Sequence, residues 1–176
     1  ISSRGYKQVV VQVTPVGGAL TGINLQVKHA SFKASIAGMP WLDIAIGGPS
    51  ITSIAIGPSS FIAYLSQLEQ IAIYQHGATS LASALYQLTA LKSVPYMYTT
   101  GVTNLTNMFM NCKTLECAPE MDLSSAVTLS SLFSGCTSLK TVPQYKLPNA
   151  VSMNSMFASC SSLEEAPFLD IGNAAN

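Results

Sequence analysis

The stretch VTLSSLFSGCTSLKTVP at residues 127–143 decides the fold, because the chain repeats it at a fixed distance. NLTNMFMNCKTL precedes it at residues 104–115, and SMNSMFASCSSL follows it at residues 152–163. A looser copy, SLASALYQLTAL, occupies residues 80–91. The period is 24 residues throughout. A fixed period in the range of roughly 20 to 50 residues predicts a repeat array in which each unit buries its apolar face against its neighbours.

Columns of similar residues run through the repeats at this period. In each repeat a leucine is followed four positions later by a proline, and four earlier apolar positions are spaced i, i+3, i+4 and i+7. That spacing is typical of one face of a short helix. The columns are Leu91, Leu115, Leu139 and Leu163; Pro95, Pro119, Pro143 and Pro167; Leu81, Leu105, Leu129 and Met153; Ala84, Met108, Leu132 and Met156; Leu85, Phe109, Phe133 and Phe157; Leu88, Cys112, Cys136 and Cys160.

Local signals predict how each unit folds. A residue of N-cap type stands before every apolar stripe, at Ser80, Asn104, Thr128 and Ser152, which favours a two-turn helix there. A short strand begins near the leucine, and the proline ends it because proline has no N–H to donate. We therefore expect an α/β repeat fold: a leucine-rich-repeat-like solenoid with one short helix and one short parallel strand per repeat.

Charged residues also alternate from repeat to repeat. Lys92, Glu116, Lys140 and Glu164 form one such column, and Asp122, Lys146 and Asp170 form a second. Parallel stacking in register would place opposite charges side by side. Each exposed pair is worth at most about 1 kcal/mol, so we interpret the columns as register control.

The residues before the repeats divide into two parts. Residues 1–40 form a β-rich N-terminal segment, with strands expected at 6–13 and 23–27. Residues 41–78 read as an irregular cap or first rungs, because an apolar-x-x-Ile-x-Ile phrase recurs there around a short helix expected at 61–68. Four repeats follow, at 79–102, 103–126, 127–150 and 151–174, and the last residues of the 79–176 region predict the start of a fifth.

Composition limits the function. Charged residues make up only 9% of the chain, the formal net charge is zero and the mean hydropathy is +0.36. Without a basic patch we expect no nucleic-acid partner, and without a long apolar run we expect no membrane span in this chain. So few charges favour a protein that is assembled or oligomeric.

The repeated Met-Phe, Asn/Gly/Ser-Cys and Ser/Thr-Leu phrases resemble the BspA-type leucine-rich repeat of bacterial surface proteins, which is also found in proteins carried by bacteriophages. The resemblance covers residues 79–176 well and residues 41–78 loosely. It implies a non-catalytic module for adhesion or recognition, and it transfers no binding residue to this chain. The first repeat departs from the pattern, with Leu85 and Leu88 in the places of Phe and Cys.

No residue pattern here favours catalysis, a cofactor or a metal. The Cys112, Cys136 and Cys160 column is best read as buried thiols, because a column is not a tetrahedral site. A Cys112–Cys117 disulfide stays open as an alternative for an extracellular protein. His29 and His76 are read as surface or loop histidines, and the glutamates near 116–120 and 164–165 as solvated charges.

Four aromatic residues lie beside or just past the prolines, at Tyr96, Tyr98, Tyr145 and Phe168. We interpret them as a candidate binding face, with edge packing as the alternative, since tyrosine is favoured at recognition surfaces. The leading hypothesis is a surface-displayed recognition or adhesion module, extracellular or on a virion, that binds a protein or glycan on a host or neighbouring surface. The alternative is a bacteriophage structural protein, such as a head decoration or tail-fibre subunit, whose N-terminal segment oligomerises or attaches to the particle.

Overall fold

The computed structural model describes residues 23–24, 43–48, 54–55 and 68–172. Seven strands lie in these residues, and every pairing between them is parallel. They are β1 (Ile23–Asn24), β2 (Asp43–Gly48), β3 (Ile54–Ala55), β4 (Gln70–His76), β5 (Ser93–Met97), β6 (Tyr145–Lys146) and β7 (Leu169–Asp170).

The three-stranded sheet β2-β4-β5 leads into the repeats. Strand β2 pairs with β4 so that Ile44, Ala45 and Ile46 lie opposite identical residues, Ile71, Ala72 and Ile73. The recurrent Ile-x-Ile phrase in the sequence is therefore a pair of adjacent parallel strands. The third copy of the phrase lies elsewhere: β3 pairs with β1 in a separate two-stranded sheet.

The helices predicted for the four repeats are wrong: the described part of the chain contains no helix. In the second repeat Met108 N donates to Leu105 O (3.2 Å) and Cys112 N donates to Phe109 O (3.0 Å). The segment thus folds as two successive four-residue turns. Two such turns place apolar side chains at i, i+3, i+4 and i+7 just as two helical turns do, which is why the spacing alone misled the prediction.

Left-handed residues explain why the turns do not continue as a helix. The third residue of each turn has a φ between 56° and 76°. This conformation costs an L-residue roughly 1–2 kcal/mol and stops helical propagation. The residues concerned are Ser83 and Gln87, Asn107 and Asn111, Ser131 and Gly135, and Ser155 and Ser159.

Backbone bonds between successive repeats offset this local cost. Leu105 N and Phe109 N donate to Thr128 O and Leu132 O of the next repeat, both at 2.9 Å. Equivalent bonds join the first repeat to the second and the third to the fourth. The predicted cap residues also lie on this side, where they form parallel bridges from Ser80 to Asn104, Asn104 to Thr128 and Thr128 to Ser152. The repeats are therefore stacked in register. Every second backbone N–H of the turns donates to a carbonyl oxygen of the next repeat.

The apolar columns form one core. Leu91, Leu115, Leu139, Phe109, Phe133, Cys112 and Cys136 are fully buried, whereas Phe157, Cys160 and Leu163 of the fourth repeat are partly buried and pack against them. The phenylalanine rings stack in near-parallel planes, with centroids 5.2 Å apart for Phe109–Phe133 and 5.7 Å for Phe133–Phe157. Such pairs add about 0.5–1.5 kcal/mol each to the area they bury.

Several expectations concern residues that lie outside the described part. These are the strand at 6–13, most of the helix at 61–68, the remainder of the 1–40 segment, His29 and the fifth-repeat residues after Gly172. Strand β1 covers the first two residues of the strand expected at 23–27. Among the described residues no helix is long and apolar enough to cross a bilayer.

Candidate functional site

The strand side of the repeats is interrupted between the first and second repeats. Strand β5 pairs with β4 on one side, but residues 117–122 of the next repeat do not continue the sheet on the other. The expectation that the proline ends the strand is wrong in the first repeat, because Pro95 lies inside β5. Pro119, at the matching position of the second repeat, has no N–H to donate to β5. A groove of about 640 Å³ opens between residues 92–100 and residues 117–122. We call it the inter-repeat groove.

Hydrogen bonds join the two repeats that form the groove. Thr114 Oγ1 donates to Leu91 O (3.0 Å), and Thr100 Oγ1 donates to Asp122 Oδ2 (3.0 Å). The second wall is also held from behind, because the buried Tyr145 hydroxyl donates to Pro119 O at 2.6 Å. The two walls are therefore fixed relative to each other by hydrogen bonds.

Aromatic rings line the first wall. Tyr96 is 48% exposed and stacks on Tyr74, which is 50% exposed, with ring centroids 5.0 Å apart. Tyr98 is half-buried and packs edge-on against His76, at a centroid distance of 5.5 Å. Two stacked, half-exposed tyrosines beside a groove form a rigid aromatic surface of the kind enriched in recognition sites.

His76 is not the surface or loop histidine that the sequence suggested. It is 6% exposed at the end of β4, its Nδ1 accepts from Ala78 N (3.1 Å) and its Nε2 lies 3.0 Å from Tyr98 O. The Nδ1 acceptor places the proton on Nε2, so the neutral ring donates to Tyr98 O. Burial lowers the pKa of His76, which favours this neutral form. The ring thus fixes the backbone of the aromatic wall.

The candidate binding face is brought together only in part. Tyr96 and Tyr98 both line the groove. Tyr145 is 1% exposed, so it is removed from the face and supports the wall from inside. Burial also raises the pKa of its hydroxyl. Phe168 is 66% exposed but lies in the fourth repeat, away from the groove-lining residues. Tyr74, which the sequence reasoning missed, joins because β4 and β5 are neighbours.

The second wall is acidic. Glu120 and Asp122 both line the groove, and Glu120 makes no hydrogen bond or ion pair with any residue that the structure describes. Hydrogen bonds from Ser124, with a smaller contribution from Thr100, lower the pKa of Asp122, so its carboxylate is ionised at neutral pH. Lys92 also lines the groove, but its Nζ is paired with Glu69 Oε1 at 2.9 Å. The groove is therefore net negative.

One polar side chain of the groove has no partner. Thr99 lines the groove and is 1% exposed, and its hydroxyl oxygen makes no hydrogen bond. A buried hydroxyl without a partner costs about 1–3 kcal/mol. The hydroxyl itself is buried, so it faces the protein interior rather than solvent.

The cysteines occupy structural positions and do not form a reactive or metal-binding site among the described residues. All four are free thiols, so the alternative disulfide between Cys112 and Cys117 is not formed. The Sγ of Cys112 donates to Leu85 O (3.2 Å) and that of Cys136 donates to Phe109 O (3.1 Å). Burial raises the pKa of both thiols, to about 12 for Cys136. No group of three or more metal-binding side chains occurs among the described residues.

The charge columns behave as predicted where a pair forms. Lys140 Nζ lies 2.7 Å from Glu116 Oε2, and Lys146 is the register partner of Asp170. The hydrogen bond between Glu116 and Lys140 lowers the pKa of the glutamate and raises that of the lysine. Lys92 pairs one repeat earlier, with Glu69.

Short parallel strands, register-matched 24-residue units and a groove between two units together define a repeat protein. The chain belongs to the DUF285 family, described as a Mycoplasma protein of unknown function, whose model matches residues 79–170, just over half of the chain. No curated protein and no solved structure matches the chain.

Proposed function

We propose that the chain is a non-enzymatic recognition or adhesion module, built on a BspA-like, leucine-rich-repeat-type solenoid and displayed on a cell or virion surface. The observation that carries this proposal is the inter-repeat groove lined by the half-exposed Tyr96, on which the half-exposed Tyr74 stacks. Exposed aromatic rings are costly to leave in water, and in a rigid stack they offer contact area with little entropy to lose on binding.

The distribution of polar chemistry supports binding over catalysis. His76, which packs against the groove residue Tyr98, is buried and uses both ring nitrogens for structural hydrogen bonds. The buried thiols have raised pKa values, which disfavours the thiolate needed for a nucleophile. The groove combines aromatic residues with a few polar and charged ones, as in a site that holds a ligand.

An array of immobilised glycans and of the matrix proteins collagen, fibronectin and laminin tests this function with the full chain. We expect binding to at least one probe, and we expect Tyr74→Ala with Tyr96→Ala to weaken it at least about tenfold, since aromatic residues dominate binding hot spots. Val151→Ala, at an apolar position that is 82% exposed outside the groove, is the matched control. Binding that is unchanged in the Tyr74→Ala, Tyr96→Ala variant would contradict the proposal.

The virion building block remains the second candidate, because the sparse charge of the chain favours assembly. Light scattering separates the two candidates. A monomer that binds a probe supports recognition, whereas a stable symmetric oligomer that binds none supports a particle subunit.

A further inference from the structure

We propose that the inter-repeat groove is a pocket for a single basic side chain, arginine above all, presented by a partner protein. This inference rests on the proposed recognition function and names the chemistry of its ligand. It is carried by a groove that has tyrosine rings on one wall and carboxylates on the other.

The two walls are complementary to a guanidinium group. Tyr96 and Tyr98 present ring surface on one side, and a cation within about 6 Å of a ring centroid is attracted by the ring's quadrupole. Glu120 and Asp122 present carboxylates on the other side. Arginine satisfies both walls at once, because its planar group stacks on aromatic faces and donates two parallel hydrogen bonds to a carboxylate.

A negative charge in the groove, that of Glu120, is not paired within the described part of the protein and can therefore bind a ligand. Glu120 is exposed and has no hydrogen-bond or ion-pair partner among the described residues. Asp122 already accepts from Thr100 and Ser124, so it adds negative potential to the groove. We therefore assign Glu120 as the direct partner of the guanidinium group.

The groove has room for a long side chain. Its volume is about 640 Å³, and hydrogen bonds that cross between the two repeats, Thr114–Leu91 and Thr100–Asp122, hold its walls together.

The test uses the full chain and two probes that differ only in charge, N-acetyl-arginine amide and its neutral isostere N-acetyl-citrulline amide. We expect the arginine probe to shift the backbone amide signals of residues 93–100 and 117–122 in NMR spectra, with a Kd that is roughly millimolar for so small a ligand. The citrulline probe should bind at least about tenfold more weakly.

Two variants locate the interaction. Glu120→Gln should weaken the arginine probe by about tenfold, and Glu165→Gln, which removes an exposed carboxylate outside the groove, should leave the Kd unchanged.

Three outcomes would overturn the proposal: equal binding of both probes, a preference for methyl glucoside or methyl mannoside, or no shift of the groove amides at concentrations near 50 times the expected Kd, on the order of 50 mM. If the array binds the chain through the two tyrosines while the arginine probe fails, the recognition function stands and only the ligand assignment falls. If the arginine probe binds as expected but the chain binds nothing on the array, the assignment of the pocket is supported and its partner is a protein that the array does not contain.

Discussion

The turn side and the strand side of the repeats use the same 24-residue period in opposite ways. On the turn side, alternate amides bond to the next repeat, and the apolar columns of the first three repeats are buried. On the strand side, the ladder stops between the first and second repeats, and a groove opens there. The comparison teaches that one face of a repeat can hold the stack together so that the other is free to present polar and aromatic groups.

The largest effect should come from breaking the turn-side core. Leu139→Ala removes a side chain that is 0% exposed between two neighbouring repeats, and we expect it to lower the free energy of unfolding by about 2–5 kcal/mol. Urea denaturation measures the loss. Leu163→Ala, in the partly buried fourth repeat, should cost about 1–2 kcal/mol. A loss below about 1 kcal/mol at Leu139 would contradict burial of the column.

The buried thiols should make the turn side sensitive to alkali. Burial, with a smaller contribution from Cys160, raises the pKa of Cys136 from 9.0 to about 12, so the folded state keeps a proton that the unfolded chain loses. Stability from this group is therefore complete below about pH 9 and is lost as the pH rises toward 12. The expected slope is about 1.4 kcal/mol per pH unit for each such thiol.

Denaturation at several pH values checks that slope. Cys136→Ser removes the titrating thiol. Whatever its effect on stability at neutral pH, it should reduce the fall of stability with rising pH by up to the contribution of one thiol. Ser138→Ala, two residues away, adds or removes no titrating group and should leave the slope as it is. An unchanged slope in Cys136→Ser would show that another group causes the alkaline loss.

On the strand side, Tyr145→Phe tests the support behind the groove wall. The change removes only the hydroxyl that donates to Pro119 O at 2.6 Å and leaves that carbonyl without its partner. We expect a loss of about 1–2 kcal/mol in thermal or urea unfolding. Tyr96→Phe, at a half-exposed ring, should change stability by less than about 0.5 kcal/mol. Equal effects of the two changes would mean that the buried hydroxyl does not hold the wall.

The smallest expected effect is also the sharpest test of turns against helices. Ser83 is exposed and has a φ of 56°, so Ser83→Gly should raise stability by up to about 1 kcal/mol because glycine adopts this conformation freely. Ala82→Gly, at a neighbour without a positive φ, should lower stability by about 0.5–1 kcal/mol. If both glycine substitutions lowered stability by the same amount, the result would support a helix rather than turns at this segment.

The sequence predicted the period, the core columns and the parallel stacking, because these depend on which residues are apolar and how far apart they recur. It misassigned the turns since helical and four-residue-turn spacing coincide for two turns. A signal was present: Asn107 and Asn111, like Ser131 and Gly135, are four residues apart and belong to types that favour or tolerate turns. That polar spacing, read with the apolar one, distinguishes the two folds.

The groove was predictable only at its tyrosines. Tyr96 and Tyr98 were visible as aromatics beside a proline, but the period gave no reason to separate them from Tyr145, which is buried. Tyr74 lay outside the repeat alignment, and Glu120 looked like any solvated charge. Their shared location depends on where the ladder fails, and that depends on contacts between repeats rather than on residue type.

One bond recurs at every step of the stack: Thr103 N donates to Thr79 O, Val127 N to Thr103 O and Val151 N to Val127 O, at 2.8 to 2.9 Å. Each unit therefore offers its neighbours the same backbone joint. Recombination that deleted residues 103–126 in frame would join Val127 to Thr79 through an equivalent bond. The array can thus gain or lose whole repeats as the gene evolves, because the backbone bond between neighbours stays the same. Each such change would alter which residues line the groove.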